Sequence, residues 1–174
     1  MKNISKIALL AVVACSPTLV IAGDGWTGFY IGGNVGYSDG EVSVGPVSFS
    51  DNSGTYGLQA GYNHDLGNNW VLGGELSYGT AEYTILGETG DVDTTRIKLK
   101  AGYDLNPALV YGVLGYANLD DGDDSEDGVT YGVGVAFKAT DNIIVSGELL
   151  RDNVDIEGVD FDQTSFVLGV SYKF

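Results

Sequence analysis

The chain is predicted to be an all-β protein, an eight-stranded antiparallel up-and-down transmembrane β-barrel. Three observations carry that expectation. Apolar and polar residues alternate with period two over eight separate segments, and no helical period competes with them. The connections between the segments alternate between tight and long, the layout of an outer-membrane barrel whose short turns lie at one end and long loops at the other. Aromatic residues gather at the two ends of the apolar faces, where a membrane has its water interfaces.

Residues 1–22 are set apart as a signal peptide, leaving 23–174 as one barrel domain. Lys2 and Lys6 precede the apolar run 7–14, which is too short to span a bilayer at about 20 residues. Val20 and Ala22 fit the small-residue positions before a cleavage site. A rival reading takes Val12 to Cys15 as a lipoprotein box with Cys15 acylated. Either route takes the chain out of the cytoplasm.

All 24 acidic residues follow Ala22 but only six of the eight basic ones do, so the mature chain carries a net charge of −18. Nucleic acid is excluded as a partner, since phosphate binding needs a basic face. Cys15 is the only cysteine, so neither a disulfide framework nor a cysteine metal site can be built.

The strands follow in order at 29–38, 56–65, 70–79, 96–105, 108–117, 130–138, 143–151 and 165–174. Tight turns at 66–69, 106–107 and 139–142 join the second strand to the third, the fourth to the fifth and the sixth to the seventh. Long loops are expected at 39–55, 80–95, 118–129 and 152–164. In a barrel of the bacterial outer membrane the termini and short turns face the periplasm.

Small and polar residues such as Gly32, Asn34, Gly57, Gln59, Gly132 and Gly134 share one face, which suits the narrow interior of an eight-stranded barrel. The other face carries an apolar band that includes Ile31, Leu58, Leu72, Leu99, Val133 and Leu168. Tyr37, Tyr56, Tyr78, Tyr131 and Phe166 would ring its outer rim; Phe29, Tyr62, Trp70, Tyr103, Phe137, Tyr172 and Phe174 would ring the inner one. A lipocalin-like or sandwich protein of the periplasm would invert the faces. In the fifth strand either Leu109/Tyr111/Val113 or Val110/Leu114/Tyr116 could be the apolar set.

The opening "GWTGFYIGGNVGYS", the eight strands and the ending "VSYKF" resemble the small outer-membrane barrel family that includes opacity-type proteins and the OmpA transmembrane domain. The resemblance covers essentially the whole mature chain. It implies that the last strand closes the sheet against the first and that Phe174 is a signal read by the outer-membrane assembly machinery. No C-terminal peptidoglycan-binding domain is expected after the barrel, which separates the chain from full-length OmpA-like proteins; a monomer surrounded by outer-membrane lipid and lipopolysaccharide, with no cofactor, is expected.

Ionisable residues in a lumen ringed by hydrocarbon need partners. Arg96, Lys98 and Lys100 are expected to point inward from the fourth strand, Glu75 from the third and Glu148 across from the seventh, as a salt-bridged plug. Lys138 and Lys173 are expected at the periplasmic mouth, solvated. His64 shares the parity of Leu58 and Tyr62, hence faces lipid or headgroup, and no serine accompanies it as a nucleophile would. The glycine runs "GNVG" and "GVG" lie inside strands and offer no phosphate cradle. The third loop holds Asp120, Asp121, Asp123, Asp124, Glu126 and Asp127, and the fourth adds Asp152, Asp155, Glu157, Asp160 and Asp162. The first run is a candidate for weak divalent binding, although its spacing fails the EF-hand pattern. The function expected is non-catalytic, a structural or surface-interaction role in which acidic loops meet an unidentified partner. The alternative is a narrow porin-like channel for ions or small solutes.

Overall fold

Eight antiparallel strands close on themselves in the computed structural model, which describes residues 25–44, 47–85, 88–120, 125–156 and 159–174. They are β1 (Gly28–Val44), β2 (Val47–Gly67), β3 (Trp70–Ile85), β4 (Glu88–Asp104), β5 (Ala108–Asp120), β6 (Ser125–Lys138), β7 (Ile143–Ile156) and β8 (Val159–Lys173). Each strand pairs with its neighbours in sequence. The seam joins β1 to β8 from Tyr30 opposite Lys173 to Val42 opposite Phe161, so the sheet keeps no free edge. The expected targeting segment, with Cys15, lies outside the described residues.

The expected long loops are largely strand. Val44 pairs with Val47, Ile85 with Glu88, Asp120 with Ser125 and Ile156 with Val159, so each hairpin runs on well past the apolar band. The physical reason is that two signals separate here. Alternating hydrophobicity stops where lipid stops, whereas the backbone ladder continues wherever two strands can exchange N–H and C=O partners.

Short turns close the opposite end. Asn68 and Asn69 both have positive φ, 53° and 66°, the conformation a two-residue hairpin requires and asparagine tolerates. Thr140 caps the β6–β7 turn, its Oγ1 accepting from the amide of Ile143 at 3.0 Å.

Alternation sorts the side chains into wall and lumen. Leu58 and Leu99 expose 67% and 69% of their surface on the outside, an arrangement that overturns a soluble barrel because water would penalise a belt of such residues. In β5 the inward set is Leu109, Tyr111, Val113 and Ala117, while Val110, Leu114 and Tyr116 face out. The aromatics expected at the two rims all face outward, and Tyr116 joins the outer group. At the turn end Phe29 packs on Tyr62 with ring centroids 4.7 Å apart, and Trp70 meets Tyr103 edge-on at 5.7 Å. The core is therefore the lumen itself, where Trp26, Val71, Leu109, Tyr111 and Ile144 cluster toward the turn end and Leu150 lies on the hairpin side of Glu148.

Candidate functional site in the lumen

The pleat of β4 aims Arg96, Lys98 and Lys100 inward because Ile97 and Leu99 between them face out. Glu75 stands directly opposite Lys98 across the β3–β4 ladder, and Glu148 reaches in from β7. The four side chains form a closed square. Lys98 Nζ lies 2.5 Å from Glu75 Oε1 and 2.6 Å from Glu148 Oε2. Lys100 Nζ lies 2.5 Å from Glu75 Oε2 and 2.8 Å from Glu148 Oε1. Two cations thus face two anions with no charge left over, the condition under which burial of ions is tolerable.

Two tyrosines brace the square. Tyr30 donates its hydroxyl to Glu75 Oε2 at 2.7 Å, and Tyr111 donates to Glu148 Oε1 at 2.8 Å. Their rings flank the Lys100 ammonium, with centroids 5.8 and 4.9 Å away. Both rings occupy space that glycine leaves open: a Cβ at Gly61 would lie 2.5 Å from Tyr30 Cζ, and one at Gly134 2.5 Å from Tyr111 Cζ.

Arg96 takes a different partner from the expected glutamates. It binds Asp152 in a fork, Nε to Oδ1 at 3.1 Å and Nη2 to Oδ2 at 2.5 Å. Asp152 was expected in an acidic loop; it is a fully buried lumen residue, because β7 continues through it and it keeps the inward parity of Glu148. Toward the hairpin end the wall is lined by neutral polar groups, with Gln59 donating to Ser171 at 2.9 Å and Ser38 sharing a 2.9 Å hydrogen bond with Ser165.

Space on either side of the charged square is small. One cavity of about 30 Å³ is bounded by Trp26, Asn63, Glu75, Lys100 and Ser146, and another of about 30 Å³ by Gln59, Thr94, Arg96, Lys98 and Gln163. Each has room for a water molecule or two.

The expected solvated lysines need correction. Lys173 is 5% exposed and donates to the carbonyl of Gly25 at 2.7 Å, and the Lys138 ammonium stands 4.8 Å from the Trp26 ring centroid. Strand parity turns both into the mouth, where residues 25–27 cover them. His64 is exposed on the outer wall, stacked with Tyr62 at 6.5 Å between centroids, away from every lumen group. Phe174 also faces outward. Its amide donates to the Phe29 carbonyl at 2.9 Å and its ring meets Tyr172 edge-on at 5.2 Å.

Of the acidic run, Asp121, Asp123, Asp124 and the side chain of Glu126 lie outside the described residues. Asp127 sits beyond the outer aromatics, where hydrogen bonds from the Tyr116 phenol and Asn118 hold its carboxyl below the usual carboxylate range. Among the described residues no three His, Cys, Asp or Glu side chains converge as a metal site. Sequence alternation could have found Tyr30 and Asp152, which share parity with Gly32 and Glu148. Nothing in the pattern pointed to Trp26, which precedes β1.

Comparison with known proteins agrees with this architecture. Residues 7–174 match the family described as "Outer membrane protein beta-barrel domain". The chain is 31% identical over 163 residues to a 22 kDa outer membrane protein of Rhizobium leguminosarum bv. viciae, covering 83% of this chain and 72% of that protein. It is 30% identical over 170 residues to a 25 kDa outer-membrane immunogenic protein of Brucella melitensis, covering 86% of this chain and 79% of the relative. The fold is shared with Neisserial surface protein A, at a TM-score of 0.58 and 19% identity over 87% of this chain and 100% of that one.

Proposed function

Because the chain belongs to the outer-membrane β-barrel protein family and resides in the bacterial outer membrane, we propose that it acts without catalysis, as a closed barrel presenting its four long hairpins at the cell surface. The termini and short turns then lie in the periplasm. The observation that carries this reading is the neutral square of Lys98, Lys100, Glu75 and Glu148 spanning the lumen with only water-sized spaces beside it. A hydrated ion would have to break at least two buried ion pairs to pass.

Surface presentation is supported by the acidic outer segments and accords with the description of the Brucella relative as an outer-membrane immunogenic protein. Phe174 serves in this reading as a signal for assembly, held at the end of the seam. The test of the closed barrel is electrical. Purified protein in planar bilayers should show little steady conductance, and stable, reproducible openings would replace this reading with a passive channel.

A further inference from the structure

The chain does not enter β1 from outside the barrel. It first crosses the turn-end mouth. Gly25 and Gly28 have φ of +118° and +146°, a region other residues rarely adopt, so the glycines on either side of Trp26 and Thr27 let the backbone turn twice within four residues. A Cβ on Gly28 would also meet the Phe174 carbonyl oxygen at 2.9 Å. Between these bends Trp26 is driven up into the lumen. Its exposure is 0%, and it packs in the cluster with Val71, Leu109, Ala136 and Ile144.

Three strands hold the segment from three sides. Lys173 at the end of β8 donates to the Gly25 carbonyl at 2.7 Å, and the Asp65 amide of β2 donates to Thr27 Oγ1 at 2.9 Å. Lys138 of β6 places its ammonium 4.8 Å from the indole centroid, a favourable approach of a cation to an electron-rich face. Above the indole lies the water-sized cavity, and above that the Lys100 and Glu75 charges. The Trp26 Nε1 is buried and has no protein partner, which suits a donor facing a water in that cavity.

We propose that residues 25–28 are a latch and that Trp26 is the seal of the turn-end mouth. The inference rests on the closed-lumen reading and adds to it a second barrier of different chemistry. The lumen is shut twice in series: by an apolar layer that keeps water out, then by the charged square, whose attractions are strong because the layer below excludes water and salt. The latch differs from the square in what opening it demands. Residues 25–27 precede β1, so they can swing out about Gly28 by giving up one side-chain bond to Gly25, one to Thr27, the Lys138 approach to the indole and the indole's apolar contacts, with the rungs of the strand ladder from Gly28 onward intact. The latch can therefore admit solvent from the turn end without unfolding the barrel.

The test uses a single thiol above the seal. In a Cys15→Ser background the chain has no other cysteine, and Ser146 lines the cavity beside Trp26. Ser146→Cys protein, refolded in liposomes, is exposed to a membrane-impermeant thiosulfonate. Labelling should be slow while Trp26 is present and rise about tenfold or more with Trp26→Ala, because the large apolar contact that closes the opening is lost. Trp26→Phe should stay slow. Equal rates in all three proteins would overturn the latch. Wild-type conductance would instead overturn the closed-lumen reading, so the two failures are distinguishable. Should Trp26→Ala not fold, Trp70→Phe protein leaves Trp26 as the sole tryptophan. Aqueous iodide should then leave its emission nearly unquenched until urea unfolds the chain, and native quenching equal to the unfolded value would equally overturn the proposal.

Discussion

Glu148→Gln preserves the shape of the side chain while removing one of the two anions that hold Lys98 and Lys100. Lys98 is 3% exposed, so it has no water to turn to; it keeps only Glu75, which Lys100 also claims. Removing one partner of a buried pair costs about 3–5 kcal/mol. The reciprocal change, Lys98→Met, leaves Glu75 and Glu148 sharing Lys100 alone and should cost about 3–5 kcal/mol for the same reason. Made together, the two changes restore neutrality, with Glu75 facing Lys100 and an apolar chain where Lys98 stood. The double variant should therefore fall short of the sum of the singles by about 3 kcal/mol. The assay is equilibrium urea unfolding in lipid vesicles, with unchanged slopes so that midpoints can be compared. Asp141→Asn, exposed in the β6–β7 turn, serves as a control and should shift stability by no more than about 0.5 kcal/mol. Additive costs in the double variant would refute the claim that the four groups act as one neutral unit.

Gly134→Ala should cost about 1–3 kcal/mol by displacing the Tyr111 ring, whereas Gly112→Ala, whose new methyl would find nothing nearer than the Ala101 carbonyl at 4.0 Å, should be nearly silent in the same unfolding assay. Arg in place of outward-facing Leu72, Val133 or Leu168 should cost about 2–4 kcal/mol near the bilayer midplane, and harmless substitutions there would reverse the assignment of wall and lumen. Deleting Phe174 should lower outer-membrane yield in cells far more than it lowers the stability of refolded protein, where loss of its apolar contact is worth about 1.5–3 kcal/mol; Phe174→Tyr should keep most of both. The mass of the mature protein should correspond to a start at Gly23, and incorporation of labelled palmitate at Cys15 would replace that cleavage with lipoprotein processing.

The barrel was legible because the solvent writes it into the chain. Lipid outside and a narrow lumen inside demand unlike residues at successive positions, so parity alone placed Glu75, Lys98, Lys100 and Glu148 on the inner wall. Parity failed where both faces are apolar. Leu109, Tyr111 and Val113 look as fit for lipid as Val110, Leu114 and Tyr116, and what decides between them is register: Val113 stands opposite the inward Lys100, and Tyr111 reaches Glu148. It failed again above the band, where Asp152 lies amid other acids and carries no sign that its strand has not ended.

Trp26 shows a further kind of limit. It belongs to no strand, so no period could assign it, and in the stretch "GWTGFY" the residues "GWTG" ahead of the strand read only as a mark of resemblance. In three dimensions each residue of that stretch acquires its own cause: Gly25 and Gly28 bend the chain, Trp26 fills the mouth, Thr27 accepts from Asp65, Phe29 faces lipid against Tyr62 and Tyr30 braces Glu75. Six neighbouring residues thus meet turn, lumen, rim and charge in succession. The first three of them cannot be periodic, because each answers to a different surrounding, and alternation begins only with β1. The two halves of the closure are consequently unequal in how they can be read: the charged square follows from alternation, while the apolar seal follows only from where the chain crosses the mouth.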